Sequence, residues 1–262
     1  GVVKLNIQGI SFYNLESGLP DDYVRSIAFD KNGTLWIGTR NGLVFLDPDQ
    51  NVITSPDAEV PLISVSQIRI SASGQMIVST FGNGVLIFKD NSFLNLTEEE
   101  GLISNSIRCA VELVNGDFWF GSKRGVSRFH NGKLESFDEN NGLPYSNIKS
   151  IGKDLEGNLW LGTDGQGLLR RTGDLFQTYT TEDGLSSNLI MSIAKNSDGK
   201  FLMGTYDSGI SIFQPEGANE YEHNDKLPST TVWTVQELNG IIIAGTSKGL
   251  FADKAGEIMT IA

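Results

Sequence analysis

GNLWLGT, residues 157–163, recurs along the whole chain, and its spacing decides the fold. In register it returns as GTLWIGT (33–39), GQMIVST (74–80), GDFWFGS (116–122), GKFLMGT (199–205) and, degraded, GIIIAGT (240–246). The first residue of the closing pair falls at 38, 79, 121, 162, 204 and 245, a step of 41 or 42 each time. Self-similarity at this period marks one supersecondary unit repeated, and four-stranded propeller blades run about 40–45 residues. The expected fold is all-β: a β-propeller of four-stranded antiparallel blades in six repeats.

Working outward, a second set of landmarks keeps the same period. Loops GLPDDY (18–23), EVPLIS (59–64), GLISNS (101–106), GLPYSN (142–147), GLSSNL (184–189) and KLPSTT (226–231) open repeats starting near 18, 59, 101, 142, 184 and 226 of a single domain, 1–262. Each loop leads into a short apolar strand A, such as IKSIGK (148–153). A turn follows, such as DKNG (30–33) or DLEG (154–157), in which glycine supplies positive φ. Strand B then runs to the Gly-Thr pair, and glycine turns lead on to strands C and D. No stretch carries a helical period, so helices should be nearly absent.

In strand B, Trp36, Trp119 and Trp160 share a column with Ile77, Leu202 and Ile243, which suits packing between neighbouring sheets better than a sugar-stacking platform. The glycine or serine closing strand B reads as a point of close approach between blades. Residues 1–17 hold two further candidate strands, VVKLNI (2–7) and ISFYNL (10–15), and EIMTIA (257–262) another. The total of about 26 strands lies between the 24 of six blades and the 28 of seven. Six blades are favoured; part of a seven-bladed ring is the alternative.

The formal charge of −12 and pI near 4.6 argue against sequence-independent nucleic-acid binding and against docking on an anionic membrane. No apolar run approaches the ~20 residues of a membrane-spanning helix, so direct membrane insertion is not expected, and no signal peptide stands at the start of the sequence. Cys109, the single cysteine, lies in an apolar strand and reads as a small buried hydrophobe. Neither a cofactor motif nor a metal-ligand spacing is present.

The joined pattern GLP-S-N-x-(V/I)-x-S-I-x-x-D-x-x-G-N-L-W-(I/L)-G-T-x-x-G-L resembles the two-component regulator propeller repeat. Its best copies are residues 18–43 and 142–168. The turns DKNGTLW (30–36) and DLEGNLW (154–160) also resemble the Asp-box of sialidase propellers, which implies a structural hairpin. The repeat-family resemblance implies the extracytoplasmic sensor half of a hybrid two-component histidine kinase. It further implies periplasmic or extracellular placement, an oligosaccharide ligand, and the other domains of a membrane-bound kinase as partners. Relatives also include a secretion-system surface component and propeller lyases. The resemblance implies residues 1–17 as a closing strand, with 11–17 outermost in the last blade.

Ligands of propellers usually sit where the D–A and B–C loops open. After the Gly-Thr pair the columns read Arg40, Phe81, Lys123, Asp164, Tyr206 and Ser247, with Arg124, Asp207 and Lys248 close by. After the first aliphatic of strand A they read Arg25, Ser66, Arg108, Lys149, Met191 and Trp233. These columns vary while their neighbours repeat, as expected of a face free to specialise on a fixed scaffold. Arginine forks suit carboxylate or sulfate, and Phe81, Tyr206, Trp233 and Tyr145 suit sugar rings, so an acidic oligosaccharide is the expected ligand. Under the plainer reading, long basic side chains cap strand ends and pair with Asp21, Asp22, Asp164 and Asp207. Neither His130 nor His223 falls in these columns, and no nucleophile motif appears, so a lyase or glycosidase is the weaker alternative to a non-enzymatic sensor or a protein-interaction scaffold.

Overall fold

Short β-branched and aromatic runs, cut every five or six residues by turns with positive φ, leave the chain little choice but hairpins. The computed structural model describes residues 1–6, 9–46, 53–56, 60, 62–89, 92–214 and 217–261. A hairpin, β1 (Val2–Asn6) and β2 (Gly9–Tyr13), comes first. Blade 1 follows as β3 (Val24–Phe29), β4 (Leu35–Thr39), β5 (Gly42–Leu46) and β6 (Ile53–Thr54). Blade 2 comprises β7 (Val65–Ile70), β8 (Met76–Thr80), β9 (Val85–Lys89) and β10 (Ser92–Leu96). Blade 3 is β11 (Ile107–Glu112), β12 (Phe118–Ser122), β13 (Val126–His130) and β14 (Lys133–Phe137). Blade 4 is β15 (Ile148–Lys153), β16 (Leu159–Thr163), β17 (Leu168–Thr172) and β18 (Leu175–Tyr179). Blade 5 is β19 (Ile190–Lys195), β20 (Phe201–Thr205), β21 (Ile210–Gln214) and β22 (Gly217–Glu220). Blade 6 is β23 (Val232–Leu238), β24 (Ile241–Thr246), β25 (Gly249–Lys254) and β26 (Glu257–Ile261). In every blade the sheet order follows the chain, giving an all-β propeller of six four-stranded antiparallel blades. Helical structure among the described residues is limited to single 3₁₀ turns, such as Glu98–Glu100 and Thr181–Asp183.

The chain divides into two compact units, residues 1–112 with 127–136, and residues 113–126 with 137–262. In the first, a core of Leu43, Ile63, Val65, Ile68, Val78 and Leu86 joins blades 1 and 2. In the second, Trp160, Leu168, Ile190, Phe201, Met203 and Phe213 join blades 4 and 5. The strand-B tryptophans are packing residues: Trp119 and Trp160 are buried and Trp36 is half-buried. Cys109 is buried in β11.

Three local devices repeat. The first is the Asp turn. Asp154 Oδ1 accepts from the Asn158 amide at 2.7 Å, while its Oδ2 accepts from Asn158 Nδ2 at 2.8 Å and from Trp160 Nε1 at 2.9 Å. Asp30 accepts from the Asn32 and Thr34 amides and from Trp36 Nε1. Burial acts to raise both carboxyl pKa values, yet these hydrogen bonds outweigh it and hold both below the ordinary 3.8. Blade 3 has Leu113 where these turns have Asp, and the buried Trp119 Nε1 finds no partner among the described residues.

The second device is a hydroxyl clasp. Thr39, Thr80, Ser122, Thr163, Thr205 and Thr246 each donate to the carbonyl of the glycine that closes the B–C turn, at 2.7–3.0 Å. The same hydroxyls accept a backbone amide from within that turn. The third is the strand-B glycine. A Cβ on Gly38 would stand 2.3 Å from Val65 Cγ1, and one on Gly162 would stand 2.2 Å from Ser150 Oγ and 2.7 Å from Ile190 Cγ2. The expected close approach therefore holds, but the neighbour is an aliphatic side chain of the next blade's strand A and not its backbone.

The expected closing strand is not formed by residues 11–17. β2 ends at Tyr13 and pairs with β1 in a separate two-stranded sheet, and residues 15–17 form a 3₁₀ turn. Blade 6 takes its outer strand from β26, whose five pairs with β25 run from Leu250↔Ile261 to Lys254↔Glu257 and already fill that edge. Residue 262 of the expected 257–262 strand, and residues 59 and 61 of the second opening loop, lie outside the described residues.

Two outcomes test these devices. Asp154→Ala leaves the buried Trp160 N–H unpaired and should cost about 2–3 kcal/mol in urea unfolding. Because the folded Asp154 pKa is depressed, its contribution is present above the unfolded value of 3.8 and is lost as pH falls through the folded one, so stability of Asp154→Asn should fall less between pH 5 and pH 2 than that of the parent. Gly162→Ala should destabilise by about 1–3 kcal/mol through overpacking against Ile190, whereas Ala at the exposed turn position Gly173 meets no neighbour and pays only for its positive φ.

Candidate functional site

The pairing register of strands A and B explains why one column varies. In blade 1 Val24 pairs with Thr39 and Ser26 with Gly38, so Arg25 is an extra residue with no partner across the ladder. The same shift leaves out Ser66 in blade 2, Lys149 in blade 4, Met191 in blade 5 and Trp233 in blade 6. A bulge frees one side chain from the alternation of the strand and re-aims it. The variable strand-A column is therefore a column of bulge residues, set beside the variable residues of the B–C turns.

In the first unit these residues meet. The Arg25 guanidinium lies 4.7 Å from the Phe81 ring centroid and 5.7 Å from that of Tyr23, and its Nη1 donates to Ser64 Oγ at 3.1 Å. Arg40 approaches Tyr23 from another side, 6.0 Å from its centroid, while its Nε donates to Asp21 Oδ2 at 2.9 Å. The Tyr23 amide, with Arg40 adding to it, holds the Asp21 carboxyl below the usual range against its burial. Phe81 is anchored by its own backbone, its amide donating to Ser64 O at 2.8 Å. Tyr23, Phe81 and Arg25 remain exposed around this cluster. Arg108, the bulge-column residue of β11, is partly buried.

The second unit holds two further groupings. Lys149 Nζ lies 3.2 Å from Asp164 Oδ2, which also accepts from Asn147 Nδ2 at 2.9 Å, and the Tyr145 hydroxyl donates to the Asp164 carbonyl at 3.0 Å. In blades 5 and 6, Tyr206 and Trp233 meet edge to face, with centroids 5.9 Å apart and about half of each residue exposed. Asp207 accepts from the neighbouring Ser208 hydroxyl. Lys123, Arg124 and Lys248 stand exposed on the B–C turns of blades 3 and 6.

Ion pairing thus absorbs Arg40 with Asp21 and Lys149 with Asp164, as the plainer reading of these columns expects. Tyr23 and Ser64 were missed by column reading although both precede a strand-A aliphatic. Their column reads Tyr, Ser, Ser, Asn, Leu, Thr, and its single aromatic was the available signal. The histidines are engaged elsewhere. His130 ends β13 and bonds Asn131 Nδ2 at 2.8 Å. His223 Nδ1 lies 2.7 Å from the buried Asp253, which also accepts from the Tyr221 hydroxyl; burial, and then that carboxylate, push the phenol pKa well up.

Similarity to known proteins bears on this site through the scaffold. The fold matches the extracellular domain of a putative one-component system from B. thetaiotaomicron at TM-score 0.75 and 18% identity, over 97% of this chain and 39% of that one. It also matches virginiamycin B lyase from Staphylococcus aureus at TM-score 0.73 and 15% identity, over 91% and 84%. A third match is PorZ, a surface component of the type-IX secretion system of Porphyromonas gingivalis, at TM-score 0.66 and 14% identity, over 89% and 38%. The chain thus spans about two fifths of the first of these structures. No curated protein matches it in sequence. Residues 18–41, which carry Tyr23, Arg25 and Arg40, match the family model for the two-component regulator propeller. The other five copies in this chain follow the pattern of the matched repeat.

Proposed function

We propose that this chain is a ligand-sensing propeller of an extracytoplasmic signalling protein, and that it takes an oligosaccharide at the strand-A bulges and B–C turns of blades 1 and 2. The observation that carries the reading is the Tyr23–Arg25–Phe81 cluster: two exposed rings whose centroids lie 5.7 and 4.7 Å from one guanidinium. Such a cluster offers apolar ring faces to the C–H face of a sugar and charge-assisted donors to its oxygens or carboxylates. It rests on a rigid base, because Phe81 is fixed through its backbone and Arg25 through Ser64. The exposed Tyr206–Trp233 pair offers a second ring surface of the same kind.

The extracellular one-component-system match supports a sensor, and the regulator-propeller repeat supports signalling through attached domains, a membrane-bound histidine kinase being the partner. No described helix is long and apolar enough to cross a membrane. The lyase match raises an enzymatic reading, and one histidine-to-alanine form of that lyase is described as catalytically inactive. In this chain both histidines stand off the bulge column, which favours binding over catalysis. An acidic sugar suits Arg25, which is held between rings, whereas Arg40 is paired with Asp21 and contributes less charge.

Calorimetric titration against neutral, uronate-containing and sulfated oligosaccharides tests this reading. Binding is expected, and Arg25→Ala with Phe81→Ala should weaken it at least about tenfold, or about 1.4 kcal/mol. No binding across the panel would overturn the sensor reading in favour of a protein-interaction scaffold, and turnover of any sugar would overturn it in favour of an enzyme.

A further inference from the structure

The hairpin that precedes blade 1 has the register of an outer blade half. β1–β2 pairs from Val2↔Tyr13 to Asn6↔Gly9, β9–β10 from Val85↔Leu96 to Lys89↔Ser92, and β17–β18 from Leu168↔Tyr179 to Thr172↔Leu175. Each hairpin is followed by a capped 3₁₀ turn, a left-handed glycine and a buried leucine: Gly18 and Leu19, Gly101 and Leu102, Gly184 and Leu185. Gly1 holds the place of the glycine before strand C. A Cβ there would meet Tyr13 O at 2.7 Å, as one on Gly84 would meet Leu96 O at 2.0 Å and one on Gly167 would meet Tyr179 O at 2.1 Å. β1 and β2 are thus strands C and D of a further copy, in the same frame as the other six.

What this copy lacks is its inner pair. In blade 4, strand C takes strand B along its inner edge, Leu168↔Gly162 through Leu159↔Arg171. The corresponding edge of β1 pairs with no strand among the described residues. Burial marks the same gap. Val3 is 56% exposed, while the residues at its position in the six blades, Val44, Leu86, Ser127, Leu169, Ser211 and Phe251, are 0–3% exposed. On β3, which faces this edge, Ile27 is 51% exposed, while Ile68, Ala110, Ile151 and Val235 are 2–4% exposed. Val24 is half-buried, while Val65, Ile107, Ile148, Ile190 and Val232 are fully buried. An open groove of about 280 Å³ runs between the two, lined by Gly1, Val2, Val3 and residues 24–27.

We propose that this groove is the seat of an inner blade half: an antiparallel hairpin carrying the strand-A and strand-B pattern of this repeat. Its strand B pairs along Val2–Asn6 in the frame of Leu159–Thr163 against β17. Its apolar residues cover Val3, Val24 and Ile27, as the strand-B residues of each blade cover the next. The groove fits this occupant because edge, face and glycine all repeat a geometry that the chain itself shows filled elsewhere.

A copy of residues 142–166 placed directly ahead of Gly1 reproduces the natural A–B–C connection and tests the proposal. The extended protein should unfold several degrees higher than the 262-residue chain, and hydrogen exchange should show new protection at Val2–Asn6. Val3→Asp with Ile27→Asp should abolish both gains and leave exchange in blades 4 and 5 unchanged. A labelled peptide of residues 142–163, titrated into the 262-residue chain, should bind, and the same pair of substitutions should weaken it at least tenfold. An extended protein with unchanged melting and exchange overturns the proposal. So does a 262-residue chain that dimerises in sedimentation and becomes monomeric on Val3→Asp, since a second copy would then be the occupant.

Discussion

The contact on which the fold depends is the first aliphatic residue of one strand A seated on the strand-B glycine of the blade before it. Val65 against Gly38, Ile190 against Gly162 and Val232 against Gly204 come closer than any side chain on the glycine would permit. The seat sets the spacing of neighbouring blades near their inner edge, and five of the six aliphatics that make it, or stand at its position, are fully buried. It also explains the constancy of the Gly-Thr pair. The glycine admits the neighbour, and the next residue's hydroxyl closes the turn that leads away from it. Both halves of the pair are needed at one point, so the pair survives in blades 5 and 6, whose tryptophan has been replaced, while blade 2 keeps the hydroxyl and has Ser79 for the glycine.

That coupling is why so much of the architecture was legible. A device needed once per blade leaves a period, and the period gives the number of full repeats and the strand order within each. The Asp turn was legible for the same reason, since Asp30 and Asp154 recur six residues before a tryptophan. Its failure in blade 3 was legible only in part: Leu113 is visible in the sequence, but that the Trp119 N–H is consequently orphaned depends on burial. The bulges were not legible as bulges. Their residues stood out as a variable column, yet an unpaired residue leaves no mark on hydrophobic alternation when its neighbours keep their own places.

The candidate site was legible as a face and not as a set of contacts. Column reading placed Arg25 and Phe81 on it, but it could not tell that Arg40 and Lys149 are held by Asp21 and Asp164 while Arg25 is held between rings. Such pairing depends on which variable residues of adjacent loops meet, and at those positions the side chains do not repeat. The outcome is a face less cationic and more aromatic than its composition implies. For a bulge column this is physically reasonable. The bulge lifts one side chain out of the ladder at no cost to the sheet beneath, so arginine, tryptophan, methionine or serine can occupy it without disturbing the seat one residue earlier.

The count of 26 strands acquires a physical meaning from the β1 edge. Outer strands of the complete blades carry polar residues along their edges: β14 has Lys133 and Glu135, and β18 has exposed Gln177 and Thr178. A natural sheet edge is blunted in this way to prevent pairing with other strands. The β1 edge is not, for it opens with two valines and lies beside Ile27 of β3, and the residues at the Val3 position are buried in all six complete blades. An edge left in that state is costly in water and prone to pair. Its composition is that of an interior strand, and the sequence around it, from Gly1 to Leu19, is built to the same frame as six blades whose corresponding edges are filled.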